Sequence, residues 1–549
     1  MRNYFVIYLI LAVSCSQPTK NRGDLSKVDS LALEQAEING LLANEGLQRC
    51  QWFVMDWLAK ADSTTGLIPR NLDESLDIWN AQDAAADNYP FMVLTAALTD
   101  QNLFKGRMLD MLRMETQLTS RLGNLPDTYS FRKKGFDSEE YDLFKLLFGA
   151  SEYIKDGLLP LTEWLGPSPW SERMVTILDD IWKYAPFETA YGNIPSTNVE
   201  LNGEMLQVLS RVYWMTGEGK YLEWAIRLGN YYLLGDQHPT RNFEILRLRD
   251  HGCEIVSGLC ELYATLSLAD PAKKEAYQPH IHEMLNRILA VGRNEDGLFY
   301  NAVDPVNGVV QWEGTADNFG YTLNGFYTVF QIDSVEAYRK ATVKALEILN
   351  QKYRNYDWEN GSADGYADAI EGALNLYARE PLSSTRDWIE SEIQVMWSLQ
   401  DSSHRKNAQK WKGSGIIEGW HGDGNFARTT IMYCLWKTQG LSVQPWRSDI
   451  ELGAVTIDNG IILSLKADKD WTGILRFDAP RHRTIMQMPA DWPRINQFPE
   501  WFTIDPKKVY EIRDMTNGMS TKYKGTQLLE GIEFTLGKGA KYAIRVLPI

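Results

Sequence analysis

Apolar positions recur every three to four residues through most of the chain between about residues 31 and 440, in segments of roughly fifteen to twenty residues. Loops rich in Gly, Asp, Asn and Pro separate these segments. The spacing predicts amphipathic helices that follow one another in pairs. A succession of helical pairs is typical of repeat architectures, in which neighbouring units share one hydrophobic core.

The second helix of each predicted pair begins with an acidic or amide-rich turn. Seven such turns occur: NAQDAAADNYPF at 80, FDSEEYDLF at 136, NVELNGEMLQ at 198, HGCEIVSGLCELY at 251, TADNFGYTLNGFY at 315, ADGYADAIEGALNLY at 363 and HGDGNFARTTIMYCLW at 421. Asp, Asn and Ser have an ordinary role here, because they cap backbone N–H groups at the positive end of a helix. Small residues one turn later permit close helix packing: Gly203, Gly258, Gly325 and Gly372. We therefore expect an inner ring of helices whose polar N-termini meet at one rim.

The pattern changes after Trp446. Segments such as GAVTIDNGIILSLKA, WTGILRFDAP and KYAIRVLPI alternate apolar and polar residues between turn-forming Gly, Asp, Asn and Pro. They predict a small β domain over 446–549, after a helical domain over 31–445. The aromatic stretch WPRINQFPEWF at 492–502 either reaches toward the site or covers the domain interface, and we favour the interface.

The first residues have the order of a bacterial lipoprotein signal. A positive start is followed by an apolar run from Tyr4 to Val13 and by small residues before Cys15. We expect a signal peptide over 1–15, lipidation of Cys15 and a polar tether over 16–30. The apolar run is too short for a spanning helix, so membrane contact is expected through the lipid anchor only. The expected location is the bacterial cell envelope, at the outer membrane or in the periplasm.

Composition excludes some partners. The 549 residues are 44% hydrophobic and carry a net charge of -16, which disfavours binding to nucleic acid or to an anionic membrane surface. The other cysteines lack the spacing of a zinc site, and buried free thiols are the ordinary interpretation: Cys50, Cys253, Cys260 and Cys434. Neither a phosphate-binding loop nor a dinucleotide motif occurs in a fitting context.

The motifs DAAADNYPF, NVELNGEM, DGYADAIEGA and GWHGDGNFART give the chain a resemblance to the six-hairpin glycosidase superfamily over about residues 40 to 440. These (α/α) toroids include unsaturated glucuronyl hydrolases and related bacterial glycosidases. The resemblance implies a mainly α fold, an (α/α)6-type toroid of six or seven helical pairs followed by a C-terminal β-sandwich. It also implies a glycoside hydrolase acting on a complex, uronic-acid-containing poly- or oligosaccharide. The HDxGF-like signature of the glucuronyl hydrolases is absent.

Glycosidic hydrolysis needs two carboxyl groups that converge on one bond. The resemblance points to Asp87 and to Glu200 or Glu204, at early inner helices, while the densest polar cluster is IIEGWHGDGNFART at the end of the toroid. The candidate catalytic residues are Asp368, Asp423, Asp87, Glu204 and Glu418. The candidate substrate-binding residues are Trp420, His421, Arg428, Asn425, His251, Asp364, Tyr366, Asn88, Tyr89 and Asn202. Arg247, Arg249 and Arg428 could bind a uronate carboxylate, although a structural ion pair is the ordinary role of such residues.

Two other functions stay open. A toroidal polysaccharide lyase would use Tyr or His as the base while Arg, Asn or a metal neutralises the carboxylate. The residues that could serve are Tyr366, His251, His421 and Asn425. An inactive toroid could capture glycans at the cell surface. No cofactor is required, although the GDG at 422–424 and the DPVNG at 304–308 could recruit a structural calcium ion. The expected partner is a carbohydrate, and the sequence leaves the oligomeric state open.

Overall fold

A computed structural model describes residues 27–72, 75–411 and 424–549, with side chains except at 251 and 402–411. The predicted signal peptide with Cys15 lies outside these residues, so lipidation and location stay predictions. In the described ranges, every helix is too short or too polar to cross a membrane. The first helix begins at Lys27, so the last residues of the predicted tether over 16–30 are helical.

Within the described chain, seven inner segments pack side by side, and the seventh packs against the first to close a ring. They are Ala81–Asn88 continued by Tyr89–Thr99; Leu143–Glu152 continued by Tyr153–Leu158 and Leu159–Leu165; Val199–Thr216; Glu254–Ala269; Phe319–Asp333; Ala363–Tyr377; and Gly424–Thr438. Ala81–Asn88 and Tyr153–Leu158 are π-helical. These seven segments begin at or shortly after the seven predicted turns.

An outer helix precedes each inner segment and packs outside the ring. The outer helices are Lys27–Lys60, Leu109–Thr119, Pro169–Lys183, Gly219–Gly229, Pro271–Val291, Glu336–Lys352 and Ser383–Trp411. Shorter helical turns are Gln101–Leu103, Phe104–Met108, Asn230–Leu234, Asp250–Cys253 and Trp358–Gly361. The described residues therefore contain seven pairs, the larger of the two predicted numbers.

The predicted capping of the inner helices is confirmed at several starts. The Asn80 side chain accepts the N–H groups of Asp83 and Ala84. Asn198 and Ser362 cap their helices in the same way. These side chains satisfy N–H groups that have no partner within the helix, so each polar turn fixes where its helix begins.

Short strands occur in loops of the helical region, where the helical pattern gave no sign of them. They are Ile78–Trp79, Ser120–Leu122, Leu125–Pro126, Tyr129–Ser130, Gly135–Phe136, Leu246–Arg247, Tyr300–Asp304 and Val309–Thr315. All of their pairings are antiparallel, and the longest hairpin joins Tyr300–Asp304 to Val309–Thr315.

The C-terminal strands form two antiparallel sheets. The order is Ile450–Ile457, Gly460–Ala467, Lys541–Pro548, Val509–Asp514 and Ser520–Lys524 in one sheet, and Ile532–Leu536, Trp471–Arg476 and Ser442–Gln444 in the other. Short helices lie at Arg481–Thr484 and Gly525–Glu530. Side chains of both sheets share one hydrophobic cluster. The last inner helix ends at Thr438 and the first strand begins at Ser442, slightly before the predicted boundary at 446.

A segment of the C-terminal region, residues 491–497, enters the ring and is named here the plug. Arg211 donates to the carbonyl of Ile495 at 3.1 Å, and Asn375 donates to that of Arg494 at 3.3 Å. Both donors lie far along their helices, so the plug enters opposite the rim of N-termini. Arg494 is 1% exposed and pairs with Glu163 at 3.3 Å. The stretch expected mainly to cover an interface therefore fills the ring.

The predicted close packing at glycines is confirmed. A Cβ on Gly258 would lie 2.4 Å from the Gly203 carbonyl oxygen, and one on Gly372 would lie 2.7 Å from the Cα of Gly320. Both distances are shorter than a carbon atom tolerates. Adjacent inner helices thus touch backbone to backbone, which keeps the ring narrow enough for one segment to fill it.

We expect Gly320→Ala to destabilise the protein by about 1 to 3 kcal/mol, because its methyl group would overlap the backbone of Gly372. Urea unfolding would measure this change. Gly219→Ala is the matched control, since nothing lies within 4 Å of a Cβ at that helical position. Equal stabilities of the two variants would contradict the close helix contact.

Candidate active site

A cavity of about 200 Å³ opens at the rim where the inner helices begin. Its lining comes from six of the seven inner segments and the loops before them: Asp87, Lys155, Asp156, Asp250, Glu254, Asn318, Tyr321, Glu359, Asp364, Asp368, Gly424, Asn425 and Arg428. In this described lining, seven carboxyl groups face two cationic side chains. The cavity is therefore a polar, acidic pocket over the central axis of the ring.

Arg428 organises one wall. Its guanidinium contacts Asp368 at 2.7 Å and Glu371 at 2.8 Å, and the Tyr321 hydroxyl lies 2.8 Å from an oxygen of each of the two carboxyl groups. Burial opposes the charge of Arg428, but Glu371, Tyr321 and Asp368 raise its pKa well above the ordinary value. Burial also raises the pKa of Glu371, while Arg428 acts against that shift. These ion pairs stabilise the charged Arg428 guanidinium in its buried position and fix the orientation of Asp368.

The plug supplies the floor. The Asn496 side chain donates to Asp156 at 2.7 Å and accepts from Arg428 at 2.9 Å. Its backbone N–H donates to Glu371 at 2.6 Å. Asn496 has a φ of 60°, a left-handed conformation that asparagine tolerates better than most residues. One residue of the C-terminal region thus bridges two opposite walls of the cavity.

Lys155 organises the opposite wall. Its ammonium group lies 2.7 Å from Asp156 and 2.6 Å from Glu254. Gln207 donates to the other oxygen of Glu254. Burial opposes the charge of Lys155, but Asp156 and Glu254 raise its pKa well above the ordinary value. Both cationic side chains of the described lining are therefore paired with carboxylates of the protein.

Glu359 lies at the edge of the cavity in a left-handed backbone conformation, with a φ of 46°. It accepts from the Ser362 hydroxyl at 2.7 Å and pairs with Arg249. Burial raises its pKa, and the charges of Asp368 and Asp250 add to this effect. Arg249 therefore makes a structural ion pair here, the ordinary role that the sequence analysis left open.

Five predicted site residues line the cavity. They are Asp87, Asp364, Asp368, Asn425 and Arg428. Asn425 donates to Asp364 at 2.6 Å and accepts from Arg428 at 2.8 Å, so the two predicted clusters meet at one wall. Four other predicted residues lie outside the described residues: Glu418, Trp420, His421 and Asp423. For His251 the structure describes the backbone alone.

The remaining predicted residues lie in the protein interior, and their assignment to the cavity lining is corrected. Tyr89 and Tyr366 belong to the hydrophobic core, and the Tyr89 hydroxyl donates to the Met108 carbonyl at 2.7 Å. Asn202 donates to Ser196 and Tyr232, while Asn88 and Glu204 are 0% exposed. These side chains are buried behind the cavity lining, because adjacent positions of a helix face different sides.

Several lining residues were missed by the sequence analysis: Lys155, Asp156, Asp250, Asn318, Tyr321 and Glu359. Three of them lie within or next to predicted helix starts: Asp250, Asn318 and Tyr321. The pattern of polar helix starts could therefore have indicated these residues. Asp156 follows a hydrophobic run within an inner segment, where the pattern gave no reason to separate it from the core. Asn496 lies far away in sequence, and only the fold brings it to the site.

The chain is similar in structure to several carbohydrate-active proteins. A family 76 glycoside hydrolase from a bovine Bacteroides thetaiotaomicron strain matches over 58% of this chain and 74% of its own, at 15% identity and a TM-score of 0.39. An inactive variant of the alpha-1,6-mannanase GH76A of Salegentibacter sp. HEL1_6, in complex with alpha-1,6-mannotetrose, matches over 71% and 97%, at 10% identity and a TM-score of 0.40. Cellobiose 2-epimerase from Bacillus thermoamylovorans B4167 matches over 50% and 84%, at 11% identity and a TM-score of 0.36.

No family model matches the chain, and no curated protein matches its sequence. TM-scores this low do not establish a shared function, which leaves the side chains of the cavity as the guide to chemistry.

We expect Arg428→Gln to destabilise the protein by about 3 to 5 kcal/mol, because it leaves Glu371 buried without its cationic partner. In the double variant with Glu371→Gln the loss should be smaller than the sum of the two single losses. Urea unfolding of the four proteins measures this coupling. Arg113→Gln is the control, since that ion pair is exposed and should not change stability measurably. Additive losses would contradict the buried pair.

Proposed function

We propose that this protein is a glycoside hydrolase and that the acidic cavity is its active site. The observation that carries the proposal is the contrast between two carboxyl groups of one wall, Asp368 and Glu359. Cleavage of a glycosidic bond needs one carboxyl group that donates a proton and one carboxylate that activates water or attacks carbon. Two carboxyl groups in contrasting environments can divide these roles.

Asp368 is suited to the anionic role. One of its oxygens accepts from Arg428 at 2.7 Å and from Tyr321 at 2.8 Å, and the other accepts from Asn318 at 3.4 Å. Donors of this kind stabilise a carboxylate and hold it in one orientation. We assign Asp368 as the base or nucleophile, because it also reaches the cavity.

Glu359 is suited to the acid role. Its burial and the neighbouring charges of Asp368 and Asp250 raise its pKa, although the Ser362 hydroxyl and Arg249 act against that shift. The protonated form therefore persists to a higher pH than in an ordinary glutamic acid. Its left-handed backbone places it at the opening of the cavity, where a leaving sugar would depart. We assign Glu359 as the proton donor. Asp87 lines the cavity too and stays the alternative acid.

The described wall does not favour the lyase alternative. A lyase needs a tyrosine or histidine that loses its proton and a cation that neutralises the substrate carboxylate. Tyr321 is the tyrosine of the described lining. Burial raises its pKa well above the ordinary value, and its hydroxyl lies within hydrogen-bond distance of two carboxyl groups. Arg428 is committed to Asp368 and Glu371.

The same charges bear on the substrate. A uronate entering this cavity would meet seven carboxyl groups of the described lining and two cations that are already paired. We therefore propose that the sugar unit bound next to Asp368 is neutral and held through its hydroxyl groups. The predicted uronic acid could still occupy another unit of the glycan.

The first test is turnover on a panel of neutral and uronic-acid oligosaccharides, with reducing ends and the absorbance of unsaturated sugars measured in parallel. We expect new reducing ends without absorbance, and a loss of about 10²- to 10⁴-fold in kcat for Asp368→Asn and for Glu359→Gln. Glu392→Gln is the control, because Glu392 is buried outside the cavity and accepts from the backbone of Asn355.

Three outcomes would decide against parts of this assignment. Rising absorbance would identify a lyase, and binding without turnover would identify a glycan-capture protein. Full activity of Glu359→Gln together with an inactive Asp87→Asn would move the acid role to Asp87.

We expect kcat/KM to fall at high pH as Glu359 loses its proton. Because the pKa of Glu359 is raised, the high-pH limb should lie above the ordinary range of a glutamic acid, about 4.3. A Ser362→Ala variant removes a donor that favours the ionised form, so the high-pH limb should move further up. An unchanged limb in this variant would argue against Glu359.

A further inference from the structure

Glu204 lies behind the cavity wall in the inner helix Val199–Thr216. Its side chain is fully buried, and neither carboxylate oxygen has a hydrogen-bond partner in the described part of the chain. A buried carboxylate without donors is costly in free energy, so either a proton or a bound cation must compensate it. The surroundings of Glu204 distinguish these two solutions.

Two more carboxyl groups converge on Glu204. One oxygen of each of Glu152, Asp156 and Glu204 lies within 4.8 Å of the others. Two oxygens bound to the same calcium ion are separated by at most about 5 Å, twice the length of a Ca–O bond. Three carboxylates at this spacing therefore fit around one ion, and Glu152 and Asp156 lie one helical turn apart on the same segment.

Within the described residues, Lys155 is the cation whose field acts on Glu204. Its ammonium group already contacts Asp156 and Glu254. Burial and the charge of Asp156 raise the pKa of Glu204 well above its ordinary value, and Glu200 and Glu254 add to this effect. In the part of the chain that the structure describes, one ammonium group thus faces several carboxyl groups.

We propose that Glu152, Asp156 and Glu204 bind a hard divalent cation, with Ca²⁺ as the preferred ion. The ligands are all carboxylate oxygens, which suit Ca²⁺ or Mg²⁺ and not the softer transition metals. Asp156 also lines the cavity. The cavity therefore gives the ion a path to its site, and water from the cavity completes the coordination.

The cation would stabilise the wall on which Lys155 and Asn496 depend. Asp156 accepts from both of these side chains, so fixing Asp156 also fixes the bridge from the floor to Arg428. This site does not rest on the proposed hydrolase activity. The test of the cation site measures metal binding and protein stability. Its result is therefore independent of any result on glycan turnover.

The experiment treats the full chain with a chelator, removes the chelator, and adds CaCl₂ or MgCl₂. Bound metal is measured by equilibrium dialysis, and Tm is measured with and without the ion. We expect about one Ca²⁺ per chain and a rise in Tm of about 2 to 5 °C at saturation. Glu204→Gln and Glu152→Gln should each weaken binding at least tenfold and lose the rise in Tm. The buried control Glu392→Gln should retain both.

Two results would overturn the proposal. Absence of bound Ca²⁺ and Mg²⁺ in the wild type, with Glu204→Gln at least as stable, would show that Glu204 is protonated, because glutamine imitates the neutral acid. Undiminished binding in Glu204→Gln and in Glu152→Gln would place the ion elsewhere. Two variants are used so that one that fails to fold does not leave the question open.

Discussion

The fold of the site depends on the neutralisation of Arg428 within the ring. A guanidinium in a dry interior is stable only when carboxylates surround it, and here Asp368 and Glu371 supply them from one neighbouring helix. Glu371 in turn needs a donor on its other side, which the backbone of Asn496 provides. Two inner helices and the plug are thus joined by one set of charged hydrogen bonds.

This constraint explains why the C-terminal region matters to a cavity built from helices. A ring of seven inner segments leaves a channel along its axis, and the plug closes that channel from the end opposite the rim. Arg494 and Ile495 occupy the channel through buried contacts with Glu163 and Arg211. Asn496 then becomes the floor. The helices determine the walls of the site, whereas its depth is determined by a loop between strands.

The sequence predicted the parts of the structure that obey local rules. Helical periodicity and capping residues such as Asn80 and Asn198 located the inner helices, because an unsatisfied N–H group at a helix start demands a nearby acceptor. Gly203 and Gly372 indicated close packing, since only glycine allows such backbone contact. The position of Asp368 at the rim followed from the same pattern. Tyr89 and Tyr366 were misplaced because a helix start rich in polar residues also carries side chains that face the core.

Other parts depend on contacts that no local pattern encodes. Asp156 follows a run that resembles hydrophobic core, and its convergence with Glu204 requires the packing of two neighbouring inner segments. Asn496 reaches Asp156 across 340 positions of the chain. The electrostatic environment of each carboxyl group in the site also depends on contacts made in the folded protein. Asp368 and Glu359 differ because of what surrounds them in space, and not because of their neighbours in sequence. Arg428 and Tyr321 contact Asp368, whereas Glu359 is partly buried, pairs with Arg249 and lies near the like charges of Asp368 and Asp250.

The distribution of charge across the cavity gives the two walls different tasks. On the Arg428 wall, one cation and the Tyr321 hydroxyl contact both Asp368 and Glu371. On the Lys155 wall, one ammonium group contacts Asp156 and Glu254, while Glu204 lies behind them with no donor among the described residues. A carboxylate needed for chemistry is best placed where its charge is already balanced, which favours Asp368. A wall with excess negative charge is best suited to hold a positive ion, and the walls are linked through Asn496 so that order on one side supports order on the other.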